Sequence, residues 1–340
     1  MKIVVASIEA WRHPRAIKIA KTLKQLGFDV ELWAAGKPKI GNRYLRALIR
    51  YARAIFSVAF RDADIYWIEN VPDVIYILLP LLRRKYIYDR RSPWALQVQM
   101  EFKNKLFYWI ADITEKLVLE HSNLVVCVSR GLAEDIKSIG KKVFILPNYP
   151  DENLLKLVNR DLRAELGVSR DKKIVIFVGK LSKIEGAPLL RDVAEALDGE
   201  NAELWIVGDG PSRGIVEKLV DDYPEQVKWF GWVDHREVPN YLSAADLGIV
   251  PRFGIPGRFK KYYTHEGIHK ITEYFLFGLP VIASGIAPSK YYFVAPEDKF
   301  GEYVKKAVRG ELKLPSPPKL TWQGNCVPII KQIINEITDK

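Results

Sequence analysis

The chain has 340 residues, 48% hydrophobic and 27% charged, which is beyond the size at which single cores usually divide, so two domains are expected. Its longest near-continuous apolar stretch, residues 74–82, contains Pro80 and falls far short of the roughly 20 residues that a membrane-spanning helix requires, so none is expected. The formal net charge of +11 is confined to the first half: 25 basic against 14 acidic residues up to Pro150, then 27 against 27. Such asymmetry points to an anionic contact for that half (a phosphorylated acceptor, an anionic membrane surface or nucleic acid) or to a solvated basic face.

Residues 1–7 read as a buried first strand, and their apolar run is too short for a secretory leader, so a cytoplasmic protein is expected. Ile17, Ala20, Leu23 and Leu26 then recur at helical spacing, Gly27 ends that helix, and residues 30–34 form the next strand: a β-α-β unit. Between residues 43 and 61, Arg43, Arg46, Arg50 and Arg53 share one helical face among Leu45, Leu48, Ile49 and Phe56. That pattern suits an anionic lipid interface, and equally a core-packing helix with a solvated arginine face. Strands follow at 65–68, 86–88, 124–128 and 143–146, with helices after Pro72, over 105–121 and after Ser129. Cys127 sits in one of these strands and reads as a small buried thiol, not a disulfide or metal ligand; no metal site is expected.

The alternation restarts after Pro147, Asn148 and Pro150, which mark a hinge within 148–166. Strands are expected at 173–178, 203–207, 227–230, 247–250 and 280–283, with helices from Pro188, Arg213 and Val238 and over 270–277. A Pro-rich spacer at 315–318 precedes a last helix over 326–337. The fold class is α/β, with two Rossmann-like doubly wound parallel-sheet domains: 1–150 for the acceptor, 151–320 for the donor, and a terminal segment 321–340 returning to the first.

In such sheets ligands bind beyond the carboxyl ends of the strands, so the loops there carry the information. Gly179, Lys180, Lys183 and Gly186 follow a buried strand and combine backbone freedom with positive charge, which suits a diphosphate. Gly208, Asp209 and Gly210 make a tight turn that lets backbone approach a ligand. Lys270 and Glu273 stand one helical turn apart, where a carboxylate can accept hydrogen bonds from two ribose hydroxyls. Each motif alone is also an ordinary turn or ion pair.

Their order is specific. Gly179-Lys180-Leu181, Val207-Gly208-Asp209-Gly210-Pro211, Phe230-Gly231-Trp232-Val233, Ala244-Ala245-Asp246-Leu247 and Glu273-Tyr274 through Gly278-Leu279-Pro280-Val281-Ile282 together resemble the retaining group 1 glycosyltransferases of the GT-B fold, the family 4-like enzymes. The resemblance implies two domains facing each other across a cleft and sugar transfer from a nucleotide sugar to an acceptor hydroxyl with retention, without a metal. It implies that Lys180 acts on the donor diphosphate, that Lys270 adds a phosphate contact, that Glu273 holds the ribose, that Val233 lies near the base, and that residues 208–210 line the pocket. Three departures stand out. Glu185 replaces the family's usual lysine, leaving Lys183 to supply charge; His265, with Glu266 beside it, replaces the first carboxylate of the Glu-x7-Glu pattern; and Glu9 through His13 replace a Gly-rich loop.

In the first half, Glu9, His13, Glu69, Asp89 and Arg91 follow strands as acid/base candidates, with Asp89 and Arg91 nearest the transferred sugar by the same resemblance; a strand-end cap or an ion pair is the plain alternative for Asp89. The acceptor reads as a sugar or lipid-linked hydroxyl, with peripheral contact to an anionic membrane through the arginine helix and no nucleic acid. Competing readings are a GT-B nucleotide-sugar epimerase and a non-catalytic polyanion-binding module; a dehydrogenase is disfavoured because no Gly-x-Gly-x-x-Gly follows the first strand.

Overall fold

The computed structural model describes residues 1–10, 14–36, 38, 41–102, 104–137, 139–155 and 160–339, with backbone alone at 43, 44, 100 and 101. His13, one of the acid/base candidates, lies outside the described residues. The chain divides into two compact units, Met1–Asn148 with Cys326–Lys340, and Tyr149–Asn325.

The first unit runs β1 (Lys2–Ala6), α1 (Pro14–Gln25), β2 (Asp29–Trp33), α2 (Arg43–Ala59), β3 (Ile65–Glu69), a 3-10 turn (Asp73–Tyr76), α3 (Leu78–Leu81), β4 (Tyr86–Arg90), α4 (Trp94–Phe102), α5 (Lys105–Glu120), β5 (Leu124–Cys127), α6 (Arg130–Lys137) and β6 (Val143–Ile145). Its sheet has the order β2-β1-β3-β4-β5-β6, with all neighbours parallel. Right-handed crossovers place α1 on one face and put α2, the 3-10 turn, α3 and α5 together on the other, where α2 and α5 both pack against the 3-10 turn and α3. The sheet is covered on both sides, so β3 and β4 are buried at every position, their charged residues Glu69, Asp89 and Arg90 included.

The second unit runs α7 (Leu162–Glu165), β7 (Lys173–Val178), α8 (Leu189–Leu197), β8 (Ala202–Val207), α9 (Arg213–Asp222), β9 (Val227–Trp229), α10 (Val238–Ala244), β10 (Leu247–Pro251), α11 (His269–Leu276), β11 (Val281–Ser284), β12 (Phe293–Val294) and α12 (Phe300–Val308). Its parallel sheet has the order β12-β11-β10-β7-β8-β9. Two apolar layers, one around Leu190, Val193 and Phe300 and one around Ile271, Tyr274 and Phe275, cover its faces. After Asn325 the chain rejoins the first unit as α13 (Val327–Thr338), which buries Ile330, Ile333, Ile334 and Ile337 and packs beside α1 and β6.

Candidate functional site: the carboxyl edge of the second sheet

The loops after β7, β8 and β9 converge because glycines allow backbone to touch backbone. Gly208 has φ +135, and a Cβ there would fall 1.9 Å from the Gly179 carbonyl oxygen, so no side chain fits. Three backbone hydrogen bonds fasten the loops: Gly179 N–H to Val207 O at 2.9 Å, Gly208 N–H to Gly231 O at 2.7 Å, and Leu181 N–H to Asp209 O at 3.0 Å. Asp209 also accepts from the Gly210 N–H at 2.7 Å through Oδ1.

Charge gathers on this frame. The Lys270 amine reaches over from the first turn of α11, so close to Gly179 that a Cβ there would lie 2.6 Å from Nζ. It also sits 4.5 Å from the centre of the Phe177 ring. Glu185 receives it at 2.9 Å and receives Arg252, just past β10, at 2.6 Å. Burial opposes ionisation of Glu185, but Lys270, Arg252 and Lys180 outweigh it and hold its carboxyl below the ordinary 4.5. Burial dominates at Lys270 and draws its amine below the ordinary 10.5, with Glu185 opposing the shift. One carboxylate is thus shared between two enclosed cations, which leaves the pocket positive by one charge before Lys180 and Lys183, both exposed on the same loop, are added.

Glu273 is 8% exposed, and His235, from the loop after β9, meets its Oε1 at 3.0 Å. Tyr274 fixes α11 behind it: its hydroxyl accepts from the Val178 N–H at 2.9 Å, and its ring lies flat enough on β10 that only glycine fits at Gly248. Val233 is half-buried and, like Phe230, packs against the core.

The structure therefore brings Gly179, Lys180, Lys183, Gly208, Asp209, Gly210, Lys270 and Glu273 to one end of one sheet. It also adds Arg252 and His235, which the sequence reading missed; the signal for Arg252 was its position directly after a buried strand. The carboxylate position of the Glu-x7-Glu pattern is differently filled. The His265 ring is packed among Tyr149, Phe275, Tyr291 and Tyr292, and Glu266 is buried against Thr264.

Two expectations for the first unit need correction. Asp89 is not an accessible acid or base. It is fully buried, with Arg15 gripping both oxygens at 2.9 Å and Trp67 Nε1–H donating at 3.0 Å, so the protein itself fills three of the carboxylate's roughly four acceptor positions and burial shuts out substrate. Nor does Arg50 share an outward face with Arg46 and Arg53. It turns inward to the carbonyls of Ile8 and Ala35 and to Glu9, while the other two are exposed; the Arg43 side chain lies outside the described set. Arg91 remains half-buried beside Asn70 and 3.5 Å from Glu69.

Residues 172–309 match the family model described as "Glycosyl transferases group 1". That match lies within the second unit, and this segment is what the chain shares with the group 1 glycosyltransferases. The chain is 25% identical over 222 residues to an uncharacterized glycosyltransferase of Methanocaldococcus jannaschii, covering 59% of this chain and 54% of that protein. It is 30% identical over 131 residues to the lipopolysaccharide core biosynthesis glycosyltransferase LpsD of Rhizobium meliloti, covering 37% of this chain and 36% of that one. The chain thus spans about half, or less, of these curated relatives' length. Among solved structures it resembles a sucrose-phosphate synthase from Thermosynechococcus elongatus (TM-score 0.72, 17% identity, 100% and 99% coverage). It also resembles Anabaena HepE in complex with UDP-glucose (TM-score 0.68, 16% identity, 100% of both chains). The fold is GT-B. No helix among its described residues is long and apolar enough to cross a membrane.

Proposed function

We propose that the protein transfers a sugar from a nucleoside-diphosphate sugar to an acceptor hydroxyl with retention of anomeric configuration. The observation that carries this reading is the glycine-crowded, net-positive pocket at Gly179, Gly208 and Lys270, with a carboxylate at Glu273 one helical turn away. Backbone amides and the Lys180, Lys183, Lys270 and Arg252 cations receive the diphosphate, and Glu273 accepts from the ribose hydroxyls once His235 yields its place. Charge develops on the departing diphosphate in the transition state, so cations fixed beforehand around it lower the barrier. Departing phosphate oxygens take up the acceptor proton in this scheme, and no metal is required. The bound UDP-glucose of HepE and the lipopolysaccharide role of LpsD support a uridine-type donor and a lipid-linked or polysaccharide acceptor, with the basic first domain at an anionic membrane.

A thermal-shift screen over nucleotide sugars tests the donor. A ligand at about 100 times its dissociation constant stabilises by about 2.7 kcal/mol, and Glu273→Ala should lose most of that gain while keeping its own melting temperature. Absence of stabilisation by every nucleotide sugar would remove the reading. Chelation should leave turnover unchanged; activity lost with a chelator and restored by Mn²⁺ or Mg²⁺ would refute the metal-free scheme.

A further inference from the structure

Large apolar side chains are unevenly distributed on the surface. Among the described residues, sixteen of the twenty exposed ones belong to the first unit. Their densest group is on α5. Leu106, Trp109, Ile110 and Ile113 stand at i, i+3, i+4 and i+7, a stripe of the width that normally faces a core, yet they are 39–59% exposed. The opposite side of the same helix supplies the contacts inside the domain, through Ala111, Thr114 and Val118. α5 is thus apolar on two faces and buries only one. Leu81 and Leu82 beside it, and Leu48 and Phe56 on α2, extend the exposed apolar surface across the three elements that pack together on that side of the sheet.

The rim of this surface is cationic. α2 contains no acidic residue, and Arg46, Arg53, Arg83 and Lys105 are exposed around the apolar side chains. A second copy of the chain placed face to face would set these like charges against one another. An anionic bilayer presents the complementary arrangement: acyl chains for the stripe, a headgroup layer for Trp109, and phosphates for the cations.

We propose that the α5 stripe, extended by α3 and α2, seats the first domain shallowly in the interface of an anionic bilayer; this rests on the membrane reading above and gives it a surface. The Leu106–Trp109–Ile110–Ile113 face enters the headgroup–acyl boundary, and the arginines and lysine hold phosphates at its edge. Arg50 takes no part, being committed to Ile8, Glu9 and Ala35.

Co-sedimentation with phosphatidylglycerol–phosphatidylcholine vesicles, against pure phosphatidylcholine, tests it. The parent chain should sediment with the anionic vesicles and be released by salt. Trp109→Ser with Ile110→Ser should reduce partitioning about tenfold or more, because both side chains lose apolar burial in the interface. An Arg46→Gln, Arg53→Gln, Lys105→Gln variant should lose the salt-sensitive part. Both variants alter exposed residues, and an unchanged melting temperature and unchanged nucleotide-sugar stabilisation verify that they fold. Three results would overturn the proposal: no sedimentation of the parent with anionic vesicles at low salt, a serine variant that sediments like the parent, or a parent dimer in analytical ultracentrifugation that the serine variant abolishes. Nucleotide-sugar stabilisation without vesicle binding would reject the docking surface alone, and vesicle binding without that stabilisation would reject the donor reading alone.

Discussion

Asp89, within β4, and Glu185, in the loop after β7, are both enclosed carboxylates, and their surroundings set them apart. Around Asp89 the protein closes its own circuit with Arg15 and Trp67. Replacing it by asparagine leaves a buried guanidinium without its counter-charge, a loss of about 3–5 kcal/mol, so Asp89→Asn should lower the melting temperature sharply while folded protein still binds nucleotide sugar. Loss of donor affinity at unchanged stability would return Asp89 to the chemistry. Glu185 instead leaves two cations half-compensated. Glu185→Gln should free Lys270 and Arg252 to bind diphosphate more tightly, seen as a lower dissociation constant for the free nucleoside diphosphate, at the expense of stability near neutral pH. The sign follows from its depressed pKa: the ion pair stabilises above the ordinary 4.5 and fades as pH falls below it toward the lower folded value. The parent's melting temperature should therefore drop through that acid window, and the variant's should drop less. These roles were half legible beforehand. The sequence marks both residues as charged, but which cation each one meets depends on neighbours 74, 67 and 85 positions away along the chain.

α11 shows how one element positions two charged side chains of the candidate site. Lys270 and Glu273 project from it toward the converged loops, and Tyr274, between them and β10, sets its height above the sheet. A Cβ at Gly248 would lie 2.4 Å from the Tyr274 ring. Gly248→Ala should therefore cost about 1–3 kcal/mol by overpacking and weaken nucleotide-sugar binding as α11 shifts, measured together by thermal melts with and without donor. Normal affinity in the variant would show that α11 does not set the geometry. The strands and most helices were readable because parallel strands covered on both faces become Val/Ile runs and because glycines close the helices. α12 was not anticipated: its burial rests on Phe300, Gly301 and Val304, and its last turns are lysine-rich. The outward stripe of α5 was equally hidden, since a helix apolar on two sides gives no sign in sequence of which side will find a partner.

At the scale of the whole chain, the charge imbalance follows the structural units. Met1–Asn148 with Cys326–Lys340 holds 27 basic against 16 acidic residues, a net +11, and Tyr149–Asn325 holds 25 against 25. Added salt should accordingly weaken contacts made by the first unit with anionic surfaces while leaving the internally paired second unit little changed, which vesicle binding and donor-free melts at rising ionic strength would check. Return of the chain to its first unit also has a consequence for biosynthesis. On the ribosome, β1 through β6 emerge first but lack α13, whose four isoleucines cover ground beside α1 and β6. The second unit is continuous in sequence and can close before the first is complete. The unit begun earlier is thus finished last, and a chain stopped after Asn325 should carry a folded second unit attached to an unfinished, chaperone-prone first one, with protease-sensitive α1 as its signature.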